Sequence, residues 1–140
     1  MAPDSQSVCG IRIFTGYHDG GPCYPGSPSS RCPHCGAGGR YVWTFIGTDG
    51  TQRGAMNACI KLFPASDLAK SQMDSIKRYL KEKDAYSLGN RSSPPASWDA
   101  EIYQATEDLR FELITVEEAE TRIQAALRGR ELYLSRFKKR

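Results

Sequence analysis

Apolar and polar residues alternate from Val8 to Phe14, placing Cys9, Ile11 and Ile13 on one side, as in a half-buried strand. The same period returns from Arg40 to Gly47: Tyr41, Trp43 and Phe45 share one face, and Val42, Thr44 and Ile46 the other. Asp49-Gly50 follows, a two-residue hairpin signal because both positions tolerate positive φ. Pairing outward from that turn sets Thr48 against Thr51, Ile46 against Arg53, Thr44 against Ala55 and Val42 against Asn57. One more pair brings Cys59 opposite Arg40, beside the glycine turn after Cys35. Between the two strands, Thr15 to Arg31 is dense in Gly, Pro and Ser and reads as a long loop.

After Pro64 the period changes from two to three and four. Ser66 is placed to cap a helix reaching about Ala85, with Ala69, Met73, Ile76 and Leu80 as its inner stripe. A Pro/Ser linker spans residues 87–97. A second helix is expected from Trp98, with Ser97 as cap and Trp98, Ile102, Ala105 and Leu109 facing inward. Thr115-Val-Glu-Glu118 is a capping box and opens a third helix, whose inner residues are Ala119, Ile123, Ala126, Leu127 and Leu134. Gly129 is expected to interrupt it.

Composition narrows the class. With 140 residues, 39% hydrophobic and 25% charged, the chain is neither collagen, wholesale disorder nor a coiled-coil rod. No apolar run approaches the ~18 residues of a membrane span. The start, MAPDSQSV, lacks the basic and apolar stretches of an export signal, so a cytoplasmic protein is expected, with no membrane partner. Net charge is only +3, but its distribution is uneven. Residues 98–120 carry eight acids and one base, and residues 121–140 carry seven bases and one acid.

All five cysteines fall within the first 59 residues. An odd count without an export signal favours a reduced, metal-binding set over a disulfide framework. Cys32-Pro-His-Cys35 is a tight knuckle presenting two thiolates to one ion, and structural zinc takes four ligands in a tetrahedron. Cys32, Cys35 and, through the hairpin, Cys59 form the expected Zn2+ set. Cys23, in a loop able to reach, is chosen as the fourth over His18, Cys9 and His34. Cys9 aligns with an apolar face, and His34 sits inside the knuckle. CPHC is also the active-site tetrapeptide of thioredoxin-fold disulfide oxidases. That chemistry needs a helix starting at the first cysteine, whereas a glycine run and a strand follow here. No nucleophile–base–acid spacing and no phosphate loop with its lysine are present, so neither catalysis nor a small-molecule substrate is expected.

Arg128, Arg130, Arg136, Lys138, Lys139 and Arg140 make a basic C-terminal arm suited to phosphate-backbone contact, or simply to the negative end of a helix dipole. Tyr41, Trp43 and Phe45 could stack bases, but an aromatic stripe of period two suits a core better. The segment from Cys32 to Pro64 is similar to small cysteine-knuckle proteins of actinobacteria and their phages. The likeness rests on Cys32, Cys35, Gly36, Tyr41, Asp49-Gly50, Arg53-Gly54-Ala55-Met56 and Cys59. It implies a zinc-ribbon-like fold and a ligand role for Cys59, and it brings no activity with it.

These readings combine into an α+β protein: a small zinc-ribbon-like β-hairpin domain over residues 1–64, then a helical region of about three helices over 65–140. Two functions are expected of it. One is a zinc-stabilised nucleic-acid-binding or transcription-associated accessory protein. The other is a protein-binding adaptor, viral structural or host-modulating protein that docks through its helices.

Overall fold

The computed structural model describes residues 10–19, 30–32, 38–39, 41–90 and 92–138. The architecture is α+β, an antiparallel sheet followed by three long helices. The chain divides into two compact units, Met1–Ala69 and Lys70–Arg140. That division falls later than residue 64, because the chain just beyond it is tied to the first strand. The Ile11 N–H donates to Pro64 O at 2.8 Å, and the Ser66 N–H to Ile11 O at 3.0 Å.

In the first unit, β1 (Ile11–Asp19), β4 (Tyr41–Gly47) and β5 (Gln52–Met56) form a sheet in the order β1-β4-β5. Two short strands, β2 (Ser30–Arg31) and β3 (Gly38–Gly39), pair separately. β1 runs five residues into the stretch expected to be loop, because it pairs with β4 as far as Asp19↔Tyr41. Register shifts between Ile11 and Ile13 and between Phe14 and Gly16 break its alternation, so the adjacent Ile13 and Phe14 are both buried. The expected single apolar side therefore does not hold.

The hairpin lies where Asp49-Gly50 places it, but its register differs by one residue. Gly47 N–H donates to Thr51 O, and Gly50 N–H to Gly47 O, closing a three-residue loop. Gly50 adopts φ +83°, the left-handed conformation that finishes such a loop with a bulge. Phe45 consequently faces Arg53, Trp43 faces Ala55 and Val42 faces Met56. Strand pairing ends at Met56, where the chain turns into a short helix, α1 (Asn57–Ile60). Cys59 thus stands on a helical turn rather than opposite Arg40 on a strand.

One face of the sheet carries linked aromatic rings. Phe14 lies 4.9 Å from Trp43 between ring centroids, and Phe45 lies 5.1 Å from Phe63. Phe14, Trp43 and Phe45 are all fully buried. Apolar burial of this kind contributes roughly 25 cal/mol per Å2, so these rings dominate the unit's core.

In the second unit, α2 (Asp67–Ser87), α3 (Ser97–Arg110) and α4 (Val116–Lys138) follow one another. Ser66 Oγ accepts the Ala69 N–H at 3.0 Å and caps α2. Thr115 and Glu118 form the reciprocal capping box at α4, at 3.1 and 2.9 Å. At α3 the expected cap differs: Ser97 is the first helical residue, and Ala96 precedes it without a side-chain cap. Gly129 does not interrupt α4, which is continuous to Lys138.

α3 pairs antiparallel with α4: Arg122 bonds Glu101 and Asp108, while Trp98 lies 5.2 Å from Tyr133. α2 is tied to α3 by buried polar groups. Gln72 Nε2 donates to Thr106 Oγ1 at 2.8 Å, and Thr106 in turn donates to Ile102 O. Arg78 grips Asp99 with two bonds of 2.7 and 2.9 Å. The Asp99 side chain is 0% exposed and sits in the first turn of α3, where the helix dipole also favours its charge.

Candidate functional site

The knuckle is flanked by a two-stranded ribbon. Ser30 pairs with Gly39 and Arg31 with Gly38, so β2 and β3 stand on either side of the knuckle in the sequence. Cys32 directly follows β2 and is 3% exposed. Its Sγ accepts the Met56 backbone N–H at 3.3 Å. A backbone amide donating to a cysteine sulfur is the kind of outer hydrogen bond that orients a metal ligand.

Met56 is both the last residue of β5 and the residue preceding α1. Cys59 lies one helical turn beyond it and is half-buried. Residues three apart on a helix are neighbours, with Cβ atoms about 5–6 Å apart. Cys59 is the third residue of that helix, and Met56 precedes it in extended conformation.

His18 is placed otherwise. It is exposed on β1, opposite Val42, and Val42 is opposite Met56. Two strand spacings, about 10 Å, therefore separate the His18 backbone from the Met56 backbone. Among the described residues no group of three or more His, Cys, Asp or Glu side chains gathers in metal-binding range. Cys9, Cys23, His34 and Cys35 lie outside the described residues.

The aromatic strand is not a binding platform across its length. Trp43 and Phe45 are fully buried. Tyr17 and Tyr41 are half-buried at the end of the row and stack with centroids 5.5 Å apart.

The basic arm is distributed around α4 instead of along one face. At about 100° per residue, Arg130 stands roughly 200° from Arg128, and Arg136 roughly 80° from it. Arg128 and Arg136 are exposed and Arg130 is half-buried. No described carboxylate forms an ion pair with any of the three. Lys138 closes the helix, and Lys139 and Arg140 lie outside the described residues. The acids of α3 engage a different arginine. Arg122 donates to Asp108 Oδ2 at 2.7 Å and to Glu101 Oε1 through both Nε and Nη2. Arg122, then Gln104, hold the Asp108 carboxyl below the usual carboxylate range.

A further charged cluster caps the hairpin tip. Asp49 accepts bonds from the Thr51 hydroxyl and amide at 2.7 and 3.1 Å and pairs with Arg53 at 3.2 Å. The Thr51 bonds, with Arg53, lower its pKa to about 2. The cluster fixes the turn and leaves no open donor set for a ligand.

Sequence reasoning missed the buried polar residues Gln72, Ser75, Asp99 and Thr106. Periodicity marks apolar stripes only, and a polar residue enters such a stripe when its partner comes from another helix. Comparisons with protein-family models, with curated proteins and with solved structures yield no match to this chain.

Proposed function

We infer that this protein is a protein-binding adaptor whose N-terminal unit is stapled by a structural Zn2+ ion and whose helical unit is the docking surface. The observation that supports the metal is the Met56 N–H to Cys32 Sγ bond, with Cys59 three residues beyond Met56 on α1. Cys32, Cys35 and Cys59 would hold the ion, with Cys23 the preferred fourth ligand. Zinc supplies folding free energy in such units and here does no chemistry.

The choice of protein over nucleic acid rests on burial and angle. Trp43 and Phe45 are spent on the core. Arg128 and Arg130 point to opposite sides of α4, so they cannot follow one phosphate backbone together. The nucleic-acid reading keeps one support, the absence of carboxylate partners around Arg128, Arg130 and Arg136 among the described residues.

A titration at low salt with duplex DNA, single-stranded DNA and RNA separates the two. The adaptor reading expects no saturable binding at tens of micromolar. Binding that weakens steeply with salt, with a slope reduced by neutralising Arg128, Arg130 and Arg136, would replace it with the nucleic-acid reading.

A further inference from the structure

Glycine is among the poorest helix formers, yet α4 passes through Gly129 without a break. Inside a helix it is ordinarily explained by a neighbouring backbone too close for a Cβ. Nothing of that kind surrounds Gly129, where an added Cβ would meet no atom within 4 Å. Among the described residues the missing side chain serves no packing, and it leaves an opening. With Ala126 it floors a slot between α3 and α4, walled by Trp98 and Tyr133 and edged by Glu101.

Around α4, Ala125, Gly129, Leu132 and Arg136 fall in one stripe, with Tyr133 beside it, at about 100° per residue. The stripe is exposed: Leu132 keeps 61% of its surface and Tyr133 keeps 47%. It is small at its N-terminal end, apolar in the middle and cationic at its C-terminal end. The slot beside the small end carries the opposite charge. Glu101 and Asp108 share the single cation Arg122, leaving that trio one negative charge in excess.

A face with this order of features is complementary to itself when turned end for end. We propose that its occupant is a second copy of this chain. Two α4 helices pair antiparallel about a two-fold axis near Leu132 and Tyr133. Arg136 of each copy then lies over Gly129 of the other, against the packed Trp98–Tyr133 ring pair and toward Glu101. Such an isologous contact closes on itself and stops at a dimer. The aromatic walls add cation–π attraction to the ion pair, and Leu132 supplies apolar burial at the axis. The inference rests on the reading of the helical unit as a protein-docking surface and is independent of the metal.

Sedimentation equilibrium of the full chain in reducing buffer, from micromolar to several hundred micromolar, tests it. The average mass is expected to climb from one chain toward two and to level there. Leu132→Asp and Arg136→Glu, both at exposed positions, should each raise the dissociation constant by about tenfold or more. Circular dichroism should record unchanged helix content in both. A monomer at every concentration overturns the proposal, as does a dimer that both variants leave intact. A monomer that still retains protein partners after nuclease treatment rejects the second copy and leaves the docking reading standing.

Discussion

The two units solve one problem, holding a small fold together, by different means. In Met1–Ala69 the sheet has an aromatic core, and the chain contributes all five of its cysteines there. In Lys70–Arg140 there is no cysteine, and helices of 21, 14 and 23 residues, the first beginning just before the division, are joined by apolar stripes and directional polar pairs. The lesson concerns what a short chain needs. Helices bring their own hydrogen bonds and long apolar faces. Strands of two to nine residues leave loops that need an additional tie.

The largest expected effect breaks the first unit alone. Cys32→Ser removes the sulfur that accepts the Met56 amide and one thiolate of the proposed metal set. The two tryptophans separate the outcome, since Trp43 belongs to the first unit and Trp98 to the second. Trp43 is expected to become solvent-exposed, with red-shifted emission, while the helical circular dichroism signal persists. Loss of both together would show that the units are not independently held.

Next comes the buried pair of the second unit. Arg78→Leu strands the fully buried Asp99 carboxylate without its cation, at a cost of about 3 kcal/mol. Asp99→Asn is expected to cost less than half as much, because Arg78 is partly exposed and can turn to water. Denaturant unfolding of the two variants checks that asymmetry. Equal losses would mean that the pair acts through packing rather than charge.

Acid separates the units by order of failure. Asp108 and Glu118 have folded pKa values below their unfolded ones, through bonds from Arg122 and Thr115 respectively. Their stabilisation is present above an unfolded pKa of about 4 and is lost as pH falls through the depressed values. Thiolate ligands protonate and release metal at higher pH than that. On lowering the pH, Trp43 emission should therefore change before helical ellipticity does.

Smaller effects come from helix ends. Thr115→Ala removes the oxygen that accepts the Glu118 amide and should cost about 1 kcal/mol in thermal or urea melts. α2 and α3 end in the same hydrogen-bonded pattern, with Gly89 at φ +79° in one and Glu112 at φ +60° in the other. Glu112→Gly should stabilise the helical unit by about 0.5–1 kcal/mol, since glycine takes that conformation without a Cβ penalty. No change in melting would indicate that Glu112 adopts it without cost.

Much of the helical unit was legible because helix ends and apolar stripes are local. Ser66, Thr115 and Glu118 cap as their spacing implies, and Ala69, Ile76, Ile102, Ala105, Ala119 and Ile123 are buried. Arg78 and Asp99 were not legible, since neither residue announces a partner 21 positions away. In the first unit Asp49-Gly50 marked the hairpin, but dipeptides do not distinguish a two-residue loop from a three-residue one. That single residue moved every pairing, and β5 ends at Met56, where the chain turns into α1. β1 extended past Thr15 because β4 offered a full-length partner, which outweighed local turn propensity at Gly16. Cys32 and Cys59 were singled out by spacing alone. The hydrogen bond from Met56 to Cys32 was not legible, because it depends on where β5 stops.

Hydrogen exchange read by mass spectrometry, on the zinc-loaded protein and after chelation, tests the metal staple most directly. The account predicts one zinc per chain and, on its removal, loss of protection in Ile11–Asp19, Tyr41–Gly47 and Gln52–Met56. Residues 70–138 should keep theirs. Zinc below about half an equivalent in freshly purified protein, or strands equally protected with and without chelator, would contradict it.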